Sequence, residues 1–362
     1  MATDLMNPPR LSFVELMKLE RLESNEKGNG NEGTGREEEK FMSVNPAYSP
    51  GFGASYGGHV FAQAVWAAAQ TVGGDGERGM CVHNVHGFFT LPAFPDRPYV
   101  YTITHLSEGR SYCTREVKVQ QPTTSPPSIP FKPQDLEKNL GKVCFTSMVS
   151  FKRDEELGPN HQTEEGYEKK YEEVLKGKDP WDWPRLPRVD APWYYRHIKQ
   201  HPQPNDFPGL DVRKVDMRTY NANYQPQDYR QLQLYTPLGS LTSNPNLHAC
   251  AHLYASDRNS VFVVSNATKI GDNIKAMGSL SHSVVFHGNS TDLLIREGEW
   301  RCQESRTPRS GNGRGVVESR IWNGKSHVAS TWQEGQLRWT DKVGEMRQMN
   351  TFREGLRRKA KL

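Results

Sequence analysis

The sequence predicts an α+β fold in which one unit, a helix followed by four antiparallel strands, is used twice. Three observations carry this. A helix-like segment at 57–70 precedes four strand-like runs at 81–90, 99–109, 111–121 and 142–152. A second, at about 247–268, precedes four more at 279–288, 292–305, 313–323 and 327–339. The halves also echo in detail. VHNVHGFF resembles SLSHSVVFHG, and KVCFTSM lines up with HVASTWQ on Val143/Val328 and Thr146/Thr331, which puts Met148 where the second half has Gln333. A repeated element order is the mark of duplication. Two such units side by side can join their sheets and bury both edges, and 362 residues suffice for two domains.

Taken in order, residues 1–40 form an N-terminal segment. Within it, 11–23 (LSFVELMKLERLE) carries apolar residues at helical spacing, and 24–40 is a charged, Gly-rich stretch expected to be a mobile loop. The first unit spans 41–155. In its helix Val60, Phe61, Ala64, Val65 and Ala68 make one wide apolar face. Gly57-Gly58 open it, and the many alanines let a sheet pack close. Gln63 falls on this face and reads as a core amide satisfied by backbone. Residues 156–212 are a Pro/Trp-rich linker (DPWDWPRLP, APWYY, HPQPNDFPG) expected to lie against the surface, with short helical pieces in 161–176. The second unit spans 213–342, and 343–362 is a tail.

Composition excludes several classes. A net charge of +4, dispersed along the chain, does not suit a nucleic-acid binder. No apolar run reaches bilayer-spanning length, and MATDLMNPPR lacks the apolar core of a secretory signal. Five cysteines without a CxxC pair argue against a disulfide framework or a zinc site and for a reducing compartment. The histidines show no metal-ligand spacing. The last three residues, Ala360-Lys361-Leu362, are a variant of the Ser-Lys-Leu peroxisomal address on an exposed basic tail, so the peroxisome matrix and its import receptor are expected.

The stretch from His252 to His287 concentrates the chemistry. HLYASDRNSVFVV places Asp257 in a polar step ahead of an apolar run and reads as a helix N-terminus, where a carboxylate is favoured. GSLSHSVVFH alternates hydroxyl or imidazole with apolar residues, like a strand with one polar face. A carboxylate on a helix start facing hydroxyls can hold and polarise a water. His282 and His287 on that strand read as packing residues rather than bases. Gly109-Arg110-Ser111 reads as a hairpin turn.

Five segments in this order resemble the acyl-CoA thioesterase II family: YGGHVFAQAVWAA, VHNVHGFFTLPAFPDRPYVYTITHLSEGRSYCTREVKVQQ, HLYASD, SLSHSVVFH and VASTWQEGQLRW. The resemblance covers most of 41–155 and 215–340, and it implies a double hotdog, two helix-plus-antiparallel-sheet units fused into one continuous sheet. It also implies hydrolysis of fatty acyl-CoA by a water held by Asp, Ser or Thr, and Gln, without metal or cofactor, CoA being part of the substrate. Carried over by motif, these residues are Asp257, Ser279 and Gln333. Ser281 stands where the family usually has an acidic residue. The start of the Gly57-Gly58 helix is the candidate oxyanion site. The first half, with Met148 at the Gln333 position, would shape the pocket only, leaving one active site per chain. A homodimer or higher oligomer follows from the same resemblance. The alternatives are a hotdog enoyl-CoA hydratase, which would need a His where this chain has Phe262, and a non-catalytic acyl-CoA-binding protein.

Overall fold

The computed structural model describes residues 10–23, 38–51, 53–72, 79–136, 139–155, 158–162, 165–202 and 206–340. Its strands are β1 (Leu19–Leu22), β2 (Glu38–Ser43), β3 (Met80–Phe89), β4 (Val100–Glu108), β5 (Tyr112–Gln120), β6 (Phe145–Arg153), β7 (Leu210–Lys214), β8 (Gln231–Pro237), β9 (Ile274–Phe286), β10 (Arg301–Gly311), β11 (Arg314–Asn323) and β12 (Ser326–Trp339). The helices are α1 (Phe13–Leu16), α2 (Gly57–Ala69), α3 (Tyr167–Lys170), α4 (Glu172–Leu175), α5 (Pro192–Gln200), α6 (Pro245–Ser256) and α7 (Ser260–Ala267). None among the described residues is long and apolar enough to cross a membrane.

All strands join one 12-stranded sheet in the order β1-β2-β4-β5-β6-β3-β9-β12-β11-β10-β8-β7. The halves meet at the antiparallel β3–β9 seam and mirror each other outward from it. The expected four strands per unit are therefore extended at both edges, by β1 and β2 on one side and β8 and β7 on the other. Residues 11–23 are not one helix. The Ser12–Glu15 capping box starts the short α1, and the chain then extends into β1, with Leu19 opposite Ser43. Short apolar runs do not distinguish the two periods. Of the expected loop at 24–40, residues 24–37 lie outside the described residues and 38–40 begin β2. The run at 292–305 divides into a 3₁₀ turn, Ser290–Leu293, and the start of β10.

The local two-fold passes through the His86–Ser283 pair, with Val85 opposite Val284 on one side and Gly87 opposite His282 on the other. Met148 lies opposite His86 and Trp332 opposite Ser283, so these two correspond; Val149 opposite Val85 corresponds to Gln333 opposite His282. Exposure agrees: Met148 is 53% and Trp332 50% exposed, whereas Val149 is 0% and Gln333 1%. The sequence alignment of Met148 with Gln333 is thus one residue off, which in a strand moves a side chain to the other face.

On the inner face α2 packs against β3 to β6 and against α6, and α7 packs on β9 to β12. Ala62, Ala64, Ala67 and Ala68 of α2 are fully buried and permit this close approach. Gln63 is satisfied as a core amide, accepting from the Tyr101 hydroxyl at 2.7 Å and donating to the Leu16 carbonyl at 3.3 Å. The far face of the second half is covered by the linker. Tyr167, Tyr171 and Trp183 pack on Leu232, Leu234, Cys302 and Trp322 there.

Candidate active site

The expected helix at about 247–268 is broken in the middle, and the break makes the site. α6 ends at Ser256, Asp257 is its C-cap, and Asn259 turns the chain in the left-handed region at φ 54° before α7 begins. Asn tolerates this conformation better than most residues. Asp257 therefore stands between two helices, not at the N-terminus of one. The carbonyls freed by the break are satisfied individually, as buried acceptors must be. Gln303 Nε2 donates to Ser256 O at 3.1 Å and Gln233 Nε2 to Arg258 O at 3.1 Å. The Ser260 N–H donates to Asp257 O at 3.3 Å.

The Asp257 carboxylate faces the start of α2 from the other half, where the Gly58 backbone favours its ionised form. Its partners on the sheet are Ser279 Oγ, which donates to Oδ1 at 3.2 Å, and Gln333 Nε2, which donates to the same oxygen. Gln333 Nε2 also donates to Ser279 Oγ at 2.7 Å. Asp257, Ser279 and Gln333 thus form one cluster drawn from the helix break, β9 and β12. Asp257 is 7% exposed. Burial pushes its carboxyl up to about 6; the Gln333, Gly58 and Ser279 hydrogen bonds and the Arg258 charge oppose that rise.

Ser279 reaches the cluster because of a bulge. The β9–β12 register shifts between Ser281–Glu334 and Ser279–Gly335, leaving Leu280 as the extra residue. Without it, Ser279 would alternate onto the face opposite His282; with it, both point inward. The expected single polar face is accordingly split. Ser281 lies opposite exposed Phe88 on the outer face, away from Asp257. β3 carries the matching bulge between Val82 and Asn84. The first-half counterparts of Asp257, Ser279 and Gln333 are then the α2 C-cap Gln70, Val82 and Val149.

Asp257 and Ser279 open onto a cavity of about 580 Å³. Val60, Phe89 and Phe145 line it from the first half, and Val261, Phe262, Ile274 and Met277 from the second. Gln333 lies behind this wall, so its amide holds the carboxylate and the hydroxyl rather than facing the cavity. The linker contributes Arg188 and Trp193 to the lining. His282 is fully buried outside the cavity, stacked on Phe61 at 4.7 Å and bonded to Ser256 Oγ at 3.2 Å, and burial pushes it down to about 3. His287 bonds Ser330 Oγ at 2.9 Å. Gly109-Arg110-Ser111 joins β4 to β5. Among the described residues no group of three or more His, Cys, Asp and Glu side chains is placed to hold a metal ion. Ala360-Lys361-Leu362 lie outside the described residues.

Sequence reasoning missed Arg258, Gln233, Gln303 and the linker's share of the cavity. The glutamines carried a signal: amides alternating through apolar strands, as in QLQLY, mark buried carbonyls that need donors.

Comparison with known proteins agrees over both halves. Residues 45–151 match the model of the acyl-CoA thioesterase N-terminal domain and residues 154–337 that of the C-terminal domain. Mouse acyl-coenzyme A thioesterase 8 is 25% identical over 293 residues, covering 80% of this chain and 82% of the relative. Acyl-CoA thioesterase 2 of Haemophilus influenzae is 23% identical over 308 residues, covering 80% and 90%. Among solved structures, an acyl-CoA thioesterase II of Mycobacterium marinum superposes with a TM-score of 0.59 at 23% identity, over 91% of this chain and 99% of that one.

Proposed function

We propose that this chain, which belongs to the acyl-CoA thioesterase II family and is an acyl-CoA thioesterase, cleaves fatty acyl-CoA with one water held by Asp257, whose carboxylate Ser279 and Gln333 fix in place. The observation that carries this reading is the meeting of three side chains from three separate elements on one oxygen, Asp257 Oδ1, at the wall of a largely apolar cavity.

The roles follow from the geometry. Gln333 and Ser279 donate to Oδ1 and fix the carboxylate, leaving Oδ2 for the water. Asp257 takes a proton as the water oxygen bonds to the thioester carbon. The electron pair of the C=O bond moves onto oxygen, then returns as the C–S bond breaks. The CoA thiolate recovers the proton, and the products are a fatty acid and CoA. A thioester is electrophilic enough for a water oriented this way, and orientation supplies much of the rate. The start of α2 lies beside Asp257, where its backbone favours the carboxylate, and its N–H groups are the candidate donors to the oxyanion. The apolar lining suits an acyl chain. Gln70 carries no carboxylate and Val82 and Val149 no donor, so they cannot repeat the cluster, which supports one active site per chain.

The test is Asp257→Asn, assayed by thiol release. Turnover falls by about 10²–10⁴ with acyl-CoA binding retained. A near-wild-type rate removes Asp257 from the mechanism.

Three finer points belong to the same reading. A role in fatty-acid metabolism of the peroxisome is supported by Ala360-Lys361-Leu362; deleting these residues leaves a tagged protein cytosolic, and unchanged import refutes the signal. Phe88, Met148 and Trp332, exposed on the outer face of the central strands, support a homodimer or higher oligomer; a monomeric mass by sedimentation at micromolar concentration refutes it. The five regions of the chain correspond to an N-terminal segment, two hotdog units, a linker and a signal-bearing tail.

A further inference from the structure

Arg258 follows the base directly in sequence and is only 2% exposed. Its guanidinium donates to the carbonyls of Pro187 at 2.9 Å and Arg188 at 3.2 Å, and to Asn259 Oδ1 at 3.4 Å. It lies over the Phe207 ring, 4.2 Å from the centroid, and near Tyr48 at 5.6 Å. Every one of these partners is neutral. Among the described residues no carboxylate lies within ion-pair distance of it. A buried cation without a counter-charge is costly, and hydrogen bonds to carbonyls offset only part of that cost.

The groups around Asp257 leave one counter-charge. From α2 and its N-cap come the Gly58 N–H and the Tyr56 hydroxyl, which burial keeps protonated, and from α6 comes Tyr254, protonated for the same reason. β9 and β12 bring neutral Ser279 and Gln333. His59 on α2 and His282 on β9 are pushed down by burial, to about 4 and about 3, and are uncharged at neutral pH. The linker's Arg188 is already neutralised by Asp206, its Nε 3.1 Å from Oδ1. Among the described residues neither the Asp257 carboxylate nor the Arg258 guanidinium has an ion-pair partner within 4 Å.

We infer that Arg258 is a positioning residue of the reaction, a counter-charge seated by linker carbonyls that keeps the buried Asp257 in its ionised, proton-accepting form. The inference rests on the reading of Asp257 as the base. Its charge opposes the desolvation that pushes the Asp257 carboxyl up, adding to the larger effects of Gln333, Gly58 and Ser279. It also gives the linker a part in the chemistry. Pro187 and Arg188 hold the guanidinium, and the Pro187 carbonyl also accepts from Asn259 Nδ2 at 2.9 Å, which fixes the left-handed turn of the helix break.

The test compares full-length Arg258→Met, Arg258→Gln and Arg258→Lys with the wild type, reading kcat/KM by thiol release from pH 5 to 9 and checking folding by thermal unfolding. The two neutral variants move the acid limb of the profile upward, the direction in which losing a nearby opposite charge shifts a carboxyl. They recover most of the wild-type rate at the alkaline end. Arg258→Lys stays nearer the wild type, because the charge is kept. An unmoved limb in a folded neutral variant overturns the inference. So does a loss of rate equal at every pH, or a limb that moves as far with Lys as with Gln. If Arg258→Met does not fold, Arg258→Gln and Arg258→Lys give the same comparison. Wild-type activity and pH dependence in Asp257→Asn would instead show that the reading of the base has failed.

Discussion

Gly57, the first residue of α2, lies so close to Asp257 that a Cβ added to it would stand 2.9 Å from Oδ2 and 3.0 Å from the Phe89 ring. A hydrogen at this position is what lets the N-terminus of one half's helix approach the carboxylate of the other. The approach sets the Gly58 backbone where it favours the ionised carboxylate and places the positive end of the helix against a negative group. Gly57→Ala therefore pushes the carboxylate off the Ser279–Gln333 pair or lifts α2. Misplacement of a reacting group by a fraction of an ångström to an ångström costs on the order of 10- to 100-fold in turnover. The expected result is that loss in kcat with KM little changed; an unaltered kcat means that the carboxylate position does not limit the rate.

With Asp257 as the proposed base, its raised carboxyl is expected to set the pH dependence. A base is active only when deprotonated, and burial pushes this group up to about 6. The log of kcat/KM therefore rises with slope one below about pH 6 and levels off above it. His59, His252 and His282, pushed down by burial to about 4, about 3 and about 3, do not titrate in that window. A profile flat from pH 5 to 8 would deny Asp257 the role of base.

The same shift has a sign for stability. Between 3.8, the ordinary carboxyl value, and about 6, the folded chain holds a proton that the unfolded chain has released. The stability contributed by this protonation is fully present below the lower value and is lost as pH rises through the upper one. The difference amounts to at most about 3 kcal/mol. Urea unfolding of wild type and Asp257→Asn at pH 4 and pH 7.5 should show the variant gaining relative stability at the higher pH. A difference independent of pH would mean that the carboxylate is not strained by burial.

Gln333 acts on Asp257 through one nitrogen that also reaches Ser279. Gln333→Ala removes both hydrogen bonds and is expected to lower turnover by about 10²–10³. Gln333→Glu is more diagnostic. It sets a second carboxyl against the first, and two such groups in contact share one proton near neutral pH. The acid limb of that variant should move upward as well as the rate fall. A limb left in place would show that Gln333 does not touch the base in solution.

The order of the central strands was legible from local alternation, and the identity of the three clustered residues from the family resemblance of the short segments that hold them. Alternation marked the strands, and the motifs around Asp257, Ser279 and Gln333 survive as short segments. What was not legible depends on single-residue events. The bulge at Leu280 moves Ser279 to the inner face, and nothing in GSLSHS announces it. Asn259 splits one apolar run into two helices by adopting a positive φ, which Asn permits but does not demand. β1 escaped because residues 11–23 satisfy helical spacing while pairing as a strand once α1 has ended. The seating of Arg258 on the Pro187 and Arg188 carbonyls joins positions about 70 apart in the chain, a relation visible only after folding.

The register between the halves leaves the first half without the groups of a second site. Val149, not Met148, corresponds to Gln333, and Val82 corresponds to Ser279 across matched bulges. Both are apolar and nearly unexposed, Val82 at 2% and Val149 at 0%, so that half has neither the amide nor the hydroxyl needed to hold a carboxylate. A single Val149→Gln cannot create a second site, because Gln70 offers no charge and Val82 no donor. It instead buries an amide among valines, at a cost of about 1–3 kcal/mol. Calorimetric titration of the Asp257→Asn variant with acyl-CoA should therefore saturate at one ligand per chain. Val149→Gln should lose stability by urea unfolding, with the turnover of the remaining folded enzyme unchanged. Two ligands per chain, or a rate that doubles in Val149→Gln, would show that the first half carries a working site of its own.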